Sequence, residues 1–542
     1  MVKLIVNVSL LAVLVFSSCK QSNPEDLLLQ TEGKTIKVSN AGLASAHPIA
    51  TRIGADIMKK GGNAIDAAIA TQFALAVCYP VAGNIGGGGF MVIKMNDGEV
   101  ATLDYREKAP QAAHRDMYLD KKGDVIDGLS INGHLAVGVP GTVDGMIKAF
   151  QKYSKLKDWE ALVQPSIDVS RNGFVITEKQ AKRFNGTLKR WKKLNTKANV
   201  FTSKTQWKSG DLLIQPELAL TFEAIRDQGE DGFYKGWVAD SLVAEMNRSN
   251  GIITLNDLAS YDAVWREPIR GTYRGLEIIS MPPPSSGGIA LIQLLNILEN
   301  YDMSAMGFHS LEAIHHAVEA ERRVYADRAT HLGDNDFYHV PADALMKKEY
   351  ALERMADFNP NKATLSADIK EGKMAKESEQ TTHFSIIDEM GNAVSVTTTL
   401  NTGFGSKIVV GAAGFFLNNE MDDFSAKPGV PNFFGLVGNE GNSIQPGKRM
   451  LSSMTPTIVT KDGKVKIIVG SPGGSTIITS VLQIIMNILD FDMTASEAVA
   501  ACRFHHQWTP DLLYEEPDCL GASLKNDLTD LGHTTKARGT IG

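Results

Sequence analysis

Cysteine is scarce in this chain, which has four in 542 residues. Cys19, Cys78, Cys502 and Cys519 show neither the Cys-x-x-Cys spacing nor the mixed His/Cys spacing of a zinc site. So few thiols exclude a small scaffold held together by disulfides. The sequence leaves open whether two of the three cysteines that follow Cys19 pair with each other.

An excess of charge of one sign is also lacking, since the net charge is only −7. Nucleic-acid-binding domains carry clustered Lys and Arg, and the one basic run here, Lys189–Lys193, is better explained as a solvated face. The glycine run Gly86–Gly89 lacks both the Lys-Ser/Thr of a phosphate loop and the spacing of a dinucleotide fingerprint. We therefore predict no nucleic-acid partner, no cofactor and no metal, and we interpret the glycine run as a place of close backbone packing.

The first 36 residues are typical of a targeting signal and a tether. The apolar stretch from Leu4 to Phe16 is too short to span a bilayer comfortably, and small residues then precede Cys19. This pattern resembles the lipobox of a bacterial lipoprotein, although the aromatic residue at its start is unusual. We predict a signal peptide over 1–18, a polar tether over 19–36 after a lipidated Cys19, and a protein of the bacterial cell envelope, periplasmic or anchored to the outer membrane. An ordinary signal peptide with an incidental cysteine is the alternative.

Apolar spacing predicts hairpins at both ends of the folded chain and helices between them. Helical spacing is found in the segments 49–60, 64–77, 289–298 and 475–489. Strands joined by short polar turns are predicted within 90–105, 383–400 and 457–469. The middle, from Pro140 to Lys370, is mostly helical by pattern, so we expect antiparallel sheet covered by helices.

The chain contains no Gly-x-Ser-x-Gly elbow, which disfavours a serine nucleophile of the α/β-hydrolase kind. A different nucleophile is indicated at Gln380-Thr381, where the polar segment 370–379 meets a predicted strand. If the chain cuts itself there, Thr381 becomes a new N-terminus. Its α-amine, with a reference pKa of about 7.7–8.0, then serves as the base that a weak hydroxyl nucleophile needs.

Three further segments offer groups that acyl transfer requires. Gly473 and Gly474 lie between a predicted strand and a predicted helix, where their amides can face a developing oxyanion. A tight structural turn is the alternative there. Arg106 has the planar fork that suits a carboxylate, and a surface ion pair is its alternative. The loop Asn418–Phe424 groups acids and amides that can hold an ammonium, unless it is only a solvated turn.

Together these segments resemble the γ-glutamyltranspeptidases, which are N-terminal-nucleophile hydrolases that process glutathione. The resemblance covers most of the chain from about Lys37 onward. The stretches that carry it are Ala46–Ala64, Asn84–Phe90, Pro282–Gly288, Gln380–His383, Asn418–Pro431, Leu451–Met454 and Gly470–Ser475.

The resemblance implies an α+β fold, the four-layer αββα sandwich of the N-terminal-nucleophile hydrolases, formed by two subunits from one precursor. The large subunit would span 37–380 and the small subunit 381–542, with cleavage between Gln380 and Thr381. This architecture replaces the roughly three domains that length alone suggests.

The resemblance also implies roles for ten residues. Thr381 would be the nucleophile and Thr399 would hydrogen-bond near it, while Gly473 and Gly474 would supply oxyanion amides. The α-carboxylate of a γ-glutamyl group would be held by Arg106, Ser452 and Ser453. The α-amino end of the same group would be held by Asn401, Glu420 and Asp423.

Two features depart from the family pattern. The segment from Asp423 to Gly438 is similar to the lid of some members, but Phe434 stands where a tyrosine often closes the pocket, so a hydroxyl contact is lost. The chain also ends at Gly542, short of the final strands of the family, which is typical of a truncated or fragmentary sequence.

The implied function is a γ-glutamyl hydrolase or transpeptidase that acts on glutathione and other γ-glutamyl compounds, with water, an amino acid or a dipeptide as acceptor. A related acylase that removes glutaryl side chains of β-lactams is the first alternative. Glu420 and Asp423 favour the transpeptidase, because such an acylase needs no residues for an α-amino group. An anchored lipoprotein that binds peptides and never cleaves itself is the second alternative.

Overall fold

The structure is a computed structural model that describes residues 35–369 and 381–542, apart from 428, 431–437 and 439. The predicted signal peptide, Cys19, Gln380 and Phe434 therefore lie outside the described residues. A search of the described helices finds none whose length and apolar character suit a bilayer crossing.

Runs of strands and runs of helices follow one another along the described chain. The strands are β1 (Gly42–Ala44), β2 (Gly88–Lys94), β3 (Val100–Asp104), β4 (Phe174–Val175), β5 (Leu212–Leu213), β6 (Val264–Arg266), β7 (Ile269–Tyr273), β8 (Leu276–Ser280), β9 (Thr382–Ile387), β10 (Ala393–Thr399), β11 (Val409–Val410), β12 (Phe415–Phe416), β13 (Thr457–Lys461), β14 (Lys464–Val469), β15 (Phe504–His505), β16 (Leu513–Glu515) and β17 (Thr535–Ala537). The helices are α1 (Pro48–Lys59), α2 (Ala64–Cys78), α3 (Thr142–Tyr153), α4 (Trp159–Asn172), α5 (Glu178–Leu194), α6 (Pro216–Gln228), α7 (Asp231–Tyr234), α8 (Gly236–Met246), α9 (Leu255–Ala259), α10 (Gly287–Leu298), α11 (Met303–Met306), α12 (Leu311–His331), α13 (Ala342–Leu345), α14 (Lys348–Arg354), α15 (Thr476–Leu489), α16 (Ala495–Ala500) and α17 (Ala522–Asp530).

Two antiparallel sheets form the centre of the fold. The larger sheet has the strand order β1-β9-β10-β2-β3-β6, and the smaller has the order β14-β13-β8-β7. The two sheets face each other, and Ser385 and Ser395 of the larger sheet donate hydrogen bonds to the carbonyls of Ile468 and Val469 at the edge of the smaller. Both sheets combine strands from before and after Thr381.

Alternation along β2 shows how the larger sheet separates two cores. Met91 and Ile93 belong to a core shared with α1, α2 and α4, whereas Phe90 and Val92 belong to a core shared with α10, α12 and α15. Side chains of a strand point alternately to opposite faces, so both faces of this sheet are buried. Helices outside each sheet complete four layers, and the predicted αββα sandwich is confirmed.

Local sequence explains where the first buried helix starts. Asn63 accepts hydrogen bonds from the amides of Ile65 and Asp66, and Asp66 accepts one from the amide of Asn63, which is a capping box. The carboxylate of Asp388, in the turn between β9 and β10, also accepts from the Ala64 amide at 3.0 Å. All residues of α2 are buried, as expected for a helix packed between other layers.

The predicted hairpins β2–β3, β9–β10 and β13–β14 are confirmed, as are the helices α1, α2, α10 and α15. The prediction of a mostly helical middle was incomplete, because the five strands β4 to β8 lie within it. Close packing at the glycine run is also confirmed, since a Cβ at Gly86 or Gly87 would lie 2.2 Å from the carbonyl oxygen of Phe416 or Thr399.

The structure answers the question of cysteine pairing. Cys502 and Cys519 form a disulfide, with Cα atoms 5.5 Å apart and a sequence separation of 17. It links the start of β15 to the loop before α17. Cys78 is free and buried in α2, and burial raises the pKa of its thiol.

Candidate active site

Thr381 lies at the start of β9, in the interior of the larger sheet. The antiparallel register pairs Thr382 with Thr398, and continuing it by one residue places Thr381 opposite Thr399. Thr381 is only 8% exposed. Thr381 lines a small cavity of about 20 Å³, so the predicted nucleophile has access to enclosed space.

The same cavity collects nearly all of the predicted site. Nine of the ten residues predicted to act on substrate line it, and the tenth, Gly473, directly precedes one of the nine. The lining residues are Arg106, Arg328, Thr381, Thr399, Asn401, Glu420, Asp423, Leu451, Ser452, Ser453, Met454, Gly474 and Ile477. Segments separated by hundreds of residues therefore converge on Thr381.

The turn between β14 and α15 presents two glycine amides beside this cavity. Gly473 and Gly474 have φ of 128° and 56°, a region that favours glycine. A Cβ at Gly473 would lie 2.4 Å from the Thr476 hydroxyl oxygen. Within the described residues neither glycine amide donates a hydrogen bond to the protein, so both are available to an oxyanion.

Arg106 crosses the cavity and pairs with two acids. Its Nη1 lies 2.6 Å from Glu420 Oε2, and its Nη2 lies 2.5 Å from Asp423 Oδ2. Burial opposes the charge of Arg106, but the two carboxylates raise the pKa of the guanidinium above its usual value. Burial raises the pKa of both Glu420 and Asp423, and the Arg106 charge opposes that shift. The residues of these ion pairs line the cavity, whose volume of about 20 Å³ has room for little more than a water.

A third acid lies behind the guanidinium. Glu107 is fully buried, with Oε2 3.7 Å from Arg106 Nη1, and burial raises the pKa of its carboxyl to about 8. Within the described residues neither of its carboxylate oxygens accepts a hydrogen bond. Glu107 was not predicted from sequence as part of the site.

Asn401 is fixed by its neighbours at the end of β10. Its amide donates to the Thr399 hydroxyl oxygen at 2.7 Å, and its side chain donates to the Asn419 carbonyl at 2.9 Å. Its φ is 73°, which turns the chain sharply after the strand. Thr399 and Asn401 are thereby held as a unit next to Thr381.

The Pro282–Gly288 motif has a structural role that the sequence did not reveal. Its backbone pairs with Ser452, whose amide donates to the Pro284 carbonyl at 2.9 Å. The Ser285 hydroxyl donates to the Met454 carbonyl at 2.6 Å. The motif therefore clamps the short segment that carries Ser452 and Ser453 against the N-terminus of α10.

Arg328 is a site residue that sequence reasoning missed. It lies near the end of α12, is 4% exposed, and lines the cavity on the Ser453 side. Alternating acids and bases along α12 suggest an exposed helix, whereas nearly the whole helix is buried. A charged helix with this many internal ion pairs gives no sequence signal that separates Arg328 from its neighbours.

Two groups of potential metal ligands occur in the described residues, and neither lines the cavity. In the first, His309 lies near Cys502 and Cys519, whose sulfurs are already joined. The second combines two histidines that hydrogen-bond to each other, His315 and His533, with a glutamate paired to two arginines, Glu319.

The geometry permits acyl transfer at a buried threonine. A hydroxyl, a glycine backbone and side chains of both charges surround one space, and a second glycine directly precedes the first. This set matches a nucleophile, an oxyanion site and a subsite for an amino acid group. The structure brings the predicted site residues together, and the roles assigned to them stay predictions. Gln380 lies outside the described residues, so the cleavage site itself stays a prediction.

Comparison with known proteins agrees with this geometry. The profile of the gamma-glutamyltranspeptidase family matches residues 50–542. The glutathione hydrolase proenzyme of Escherichia coli (strain K12) is 49% identical over 492 residues, covering 90% of this chain and 85% of that protein. Helicobacter pylori gamma-glutamyltranspeptidase superposes with a TM-score of 0.61 at 46% identity, covering 62% of this chain and 97% of that one. Cephalosporin acylase from Bacillus halodurans superposes with a TM-score of 0.77 at 26% identity, covering 94% and 92%. This chain therefore belongs to the gamma-glutamyltranspeptidase family.

Proposed function

We propose that the protein is a self-cleaving γ-glutamyl hydrolase and transpeptidase that acts on glutathione and other γ-glutamyl compounds. The observation that carries the proposal is the presence in one cavity of Thr381, a cation that suits a carboxylate, acids that suit an ammonium group, and Gly474, which directly follows Gly473. Relatives of this chain named glutathione hydrolase proenzyme support the substrate class.

Maturation begins with the precursor as its own substrate. The Thr381 hydroxyl attacks the carbonyl of Gln380, the peptide C–N bond breaks, and the chain passes through an ester that water opens. The products are a carboxylate at Gln380 and a free α-amine at Thr381. That amine replaces whatever base served the precursor, because its ordinary pKa lies near neutral pH.

Turnover repeats the chemistry on a γ-glutamyl amide. The Thr381 hydroxyl oxygen bonds to the γ-carbonyl carbon while its proton passes to the α-amine, and the amides of Gly473 and Gly474 stabilise the oxyanion. The C–N bond then breaks as the amine returns the proton to the leaving nitrogen. Water or the amine of an acceptor attacks the ester and releases glutamate or a new γ-glutamyl amide.

Substrate binding requires an exchange of ion pairs. Arg106 is paired with Glu420 and Asp423. The α-carboxylate of the γ-glutamyl group would take Arg106 from the acids, and the α-ammonium would take the acids from Arg106. Each buried charge keeps a partner throughout, which avoids the cost of an isolated buried ion.

A cephalosporin acylase of similar structure makes an acylase the second candidate. The matched substrates are γ-glutamyl p-nitroanilide and glutaryl p-nitroanilide, which differ only by the α-amine. Faster turnover of the γ-glutamyl anilide supports the proposal, because only that substrate carries an ammonium group for Glu420 and Asp423 to bind. A preference for the glutaryl anilide would assign the chain to the acylases.

Cleavage is tested on purified protein. We expect two chains on a denaturing gel, with Thr381 as the first residue of the smaller chain by N-terminal sequencing. Thr381→Ala should give one uncleaved, inactive chain. A folded wild-type protein that stays uncleaved and releases nothing from glutathione would contradict the proposal and favour a binding protein.

We also propose a lipid anchor on Cys19 and a place in the bacterial cell envelope. The support is the apolar stretch and small residues that precede Cys19. Cells fed an alkyne-tagged fatty acid should label the wild-type protein and not Cys19→Ala. Equal labelling of the two proteins, or none in either, would leave an ordinary cleaved signal as the explanation.

A further inference from the structure

Arg328 has no role in the chemistry derived above, although it lines the cavity. It projects from the last turns of α12 and is 4% exposed. Burying a guanidinium is costly unless it is hydrogen-bonded, so the partners of Arg328 indicate what it does.

Two of those partners are serine hydroxyls, and one of them belongs to Ser453, which is predicted to bind the substrate α-carboxylate. The Nε of Arg328 donates to Ser286 Oγ at 2.9 Å, and its Nη2 donates to Ser453 Oγ at 3.1 Å. Arginine has no acceptor atom, so in both contacts the serine oxygen must be the acceptor. The direction of these hydrogen bonds is therefore fixed by chemistry.

Ser286 links Arg328 to the clamp around Ser452. The Ser286 hydroxyl donates to the Ser452 carbonyl at 2.6 Å, and the Ser286 amide donates to the same carbonyl at 2.7 Å. Because its single hydroxyl hydrogen is used there, Ser286 receives Arg328 on a lone pair and holds the guanidinium in place. The arginine is thus anchored to the backbone that carries the substrate-binding serines.

The contact with Arg328 restricts how the Ser453 hydroxyl can be oriented. Arg328 occupies one of its lone pairs, and within the described residues the Ser453 hydroxyl donates to no protein acceptor. Its hydrogen cannot point at the guanidinium, which leaves it free to turn toward the cavity that Ser453 lines. The polarised hydroxyl therefore offers a donor at the wall where a carboxylate would lie.

The positive charge of Arg328 also favours a carboxylate in the cavity. Burial raises the pKa of Asp423, and the positive charges of Arg106 and then Arg328 oppose that shift, which shows that Arg328 lies within electrostatic reach of the cavity acids. When an α-carboxylate enters next to Ser453, it meets Arg106 directly and the field of Arg328 through Ser453.

We propose that Arg328 is a positioning and specificity-determining residue that aims the Ser453 hydroxyl at the substrate α-carboxylate and makes the site selective for acyl groups that carry that carboxylate. The inference rests on the proposed function, because it assumes that a γ-glutamyl group occupies the cavity.

The test compares two substrates on the wild type and on Arg328→Met. The substrates are γ-glutamyl p-nitroanilide and 4-aminobutyryl p-nitroanilide, which lacks only the α-carboxylate. We expect kcat/KM for the γ-glutamyl anilide to fall about 10- to 100-fold, mainly through KM, which is the range for losing a charge-assisted hydrogen bond. Turnover of the 4-aminobutyryl anilide should change less than about 2-fold, so discrimination between the two should collapse.

A double-mutant cycle with Ser453→Ala asks whether Arg328 acts through Ser453. If it does, Arg328→Met combined with Ser453→Ala should lose about as much as Ser453→Ala alone. Losses that multiply, or an equal loss on both anilides, would overturn the inference and leave Arg328 as a structural residue. The control is Arg354→Met. Arg354 does not line the cavity, and it pairs with Asp327, the residue that precedes Arg328 on α12. It should leave the discrimination unchanged.

Folding is followed by self-cleavage on a denaturing gel. If Arg328→Met does not mature, Arg328→Gln takes its place, since its amide keeps one donor for a serine. It should show a smaller but still carboxylate-specific loss. A wild type that turns over neither anilide would refute the proposed function, whereas an active wild type with unchanged selectivity in the arginine variants would refute only the role of Arg328.

Discussion

Replacing Arg106 with methionine tests whether opposite charges hold the cavity together. Methionine is apolar and similar in length, so the change leaves Glu420 and Asp423 buried without the Arg106 charge. Breaking a buried ion pair from one side costs about 3–5 kcal/mol. At about 2 cal/mol/K of unfolding entropy per residue, over roughly 500 residues, that cost lowers the midpoint of thermal unfolding by about 3–5 °C.

The size of the loss should depend on pH. Burial raises the pKa of Glu420 and Asp423 above their ordinary values of 4.5 and 3.8, and removing Arg106 raises both further. Above those ordinary values, the folded variant keeps protons that the unfolded chain has released, so the variant loses stability relative to its parent as the pH rises. The full loss is therefore expected at pH 8 and a smaller one at pH 5.

The assay is thermal unfolding of precursors that all carry Thr381→Ala, so that subunit dissociation does not contribute. Adding Glu420→Gln and Asp423→Asn to Arg106→Met removes the stranded carboxylates and should restore most of the loss. The reasoning is refuted if Arg106→Met unfolds at the temperature of its parent at pH 8. It is equally refuted if the loss is the same at both pH values and the two neutral substitutions do not relieve it.

Three further changes have defined outcomes. Gly473→Ala places a Cβ 2.4 Å from the Thr476 hydroxyl oxygen and should lower kcat by about 10²–10³ with little change in KM, measured with γ-glutamyl p-nitroanilide; a change in KM alone would contradict an oxyanion role. Replacing Cys502 and Cys519 with serine opens a loop with a sequence separation of 17, and should destabilise the fold by about 3 kcal/mol in urea unfolding while kcat stays within about 2-fold. Burial lowers the pKa of Lys407 to about 7, so between pH 7 and 10.5 the unfolded chain holds a proton that the folded chain lacks, and wild-type stability gains with pH there. The midpoint of Lys407→Met minus that of the wild type should accordingly become more negative from pH 7 to 10, and a constant difference would exclude the shift.

Turn residues and apolar spacing predicted the elements whose partners are close in the sequence. The hairpins β2–β3, β9–β10 and β13–β14 each turn over a few polar residues, and such turns specify pairing between neighbours in sequence. The hairpin β7–β8 was missed although it also turns tightly, because its sheet is completed by β13, which follows it by more than 170 residues. Pairing across that separation has no periodic signature.

Some residues of the site were predicted from the sequence and others were missed, and the reason differs from that for the strands. Thr381, Arg106, Asp423 and the two glycines were singled out from their local segments, and the resemblance to a family then supplied their predicted roles. Arg328 and Glu107 were missed because hydrophobic patterning counts charged residues as exposed, whereas both are buried. Arg328 donates to serines of distant segments, and Glu107 lies behind the guanidinium of Arg106, which is itself paired with distant acids. Such contacts are a property of the assembled fold.

The order of strands in the larger sheet determines whether the two subunits can separate after cleavage. Under the proposed cleavage, β9 and β10 of the small subunit lie between β1 on one side and β2, β3 and β6 of the large subunit on the other. Backbone hydrogen bonds run across both borders, so the two chains are held by the sheet as firmly as neighbouring strands of one chain. Maturation therefore makes an irreversible covalent change without creating separable parts. Isotope-labelled small subunits should not exchange between native molecules, and a damaged half is lost together with its partner.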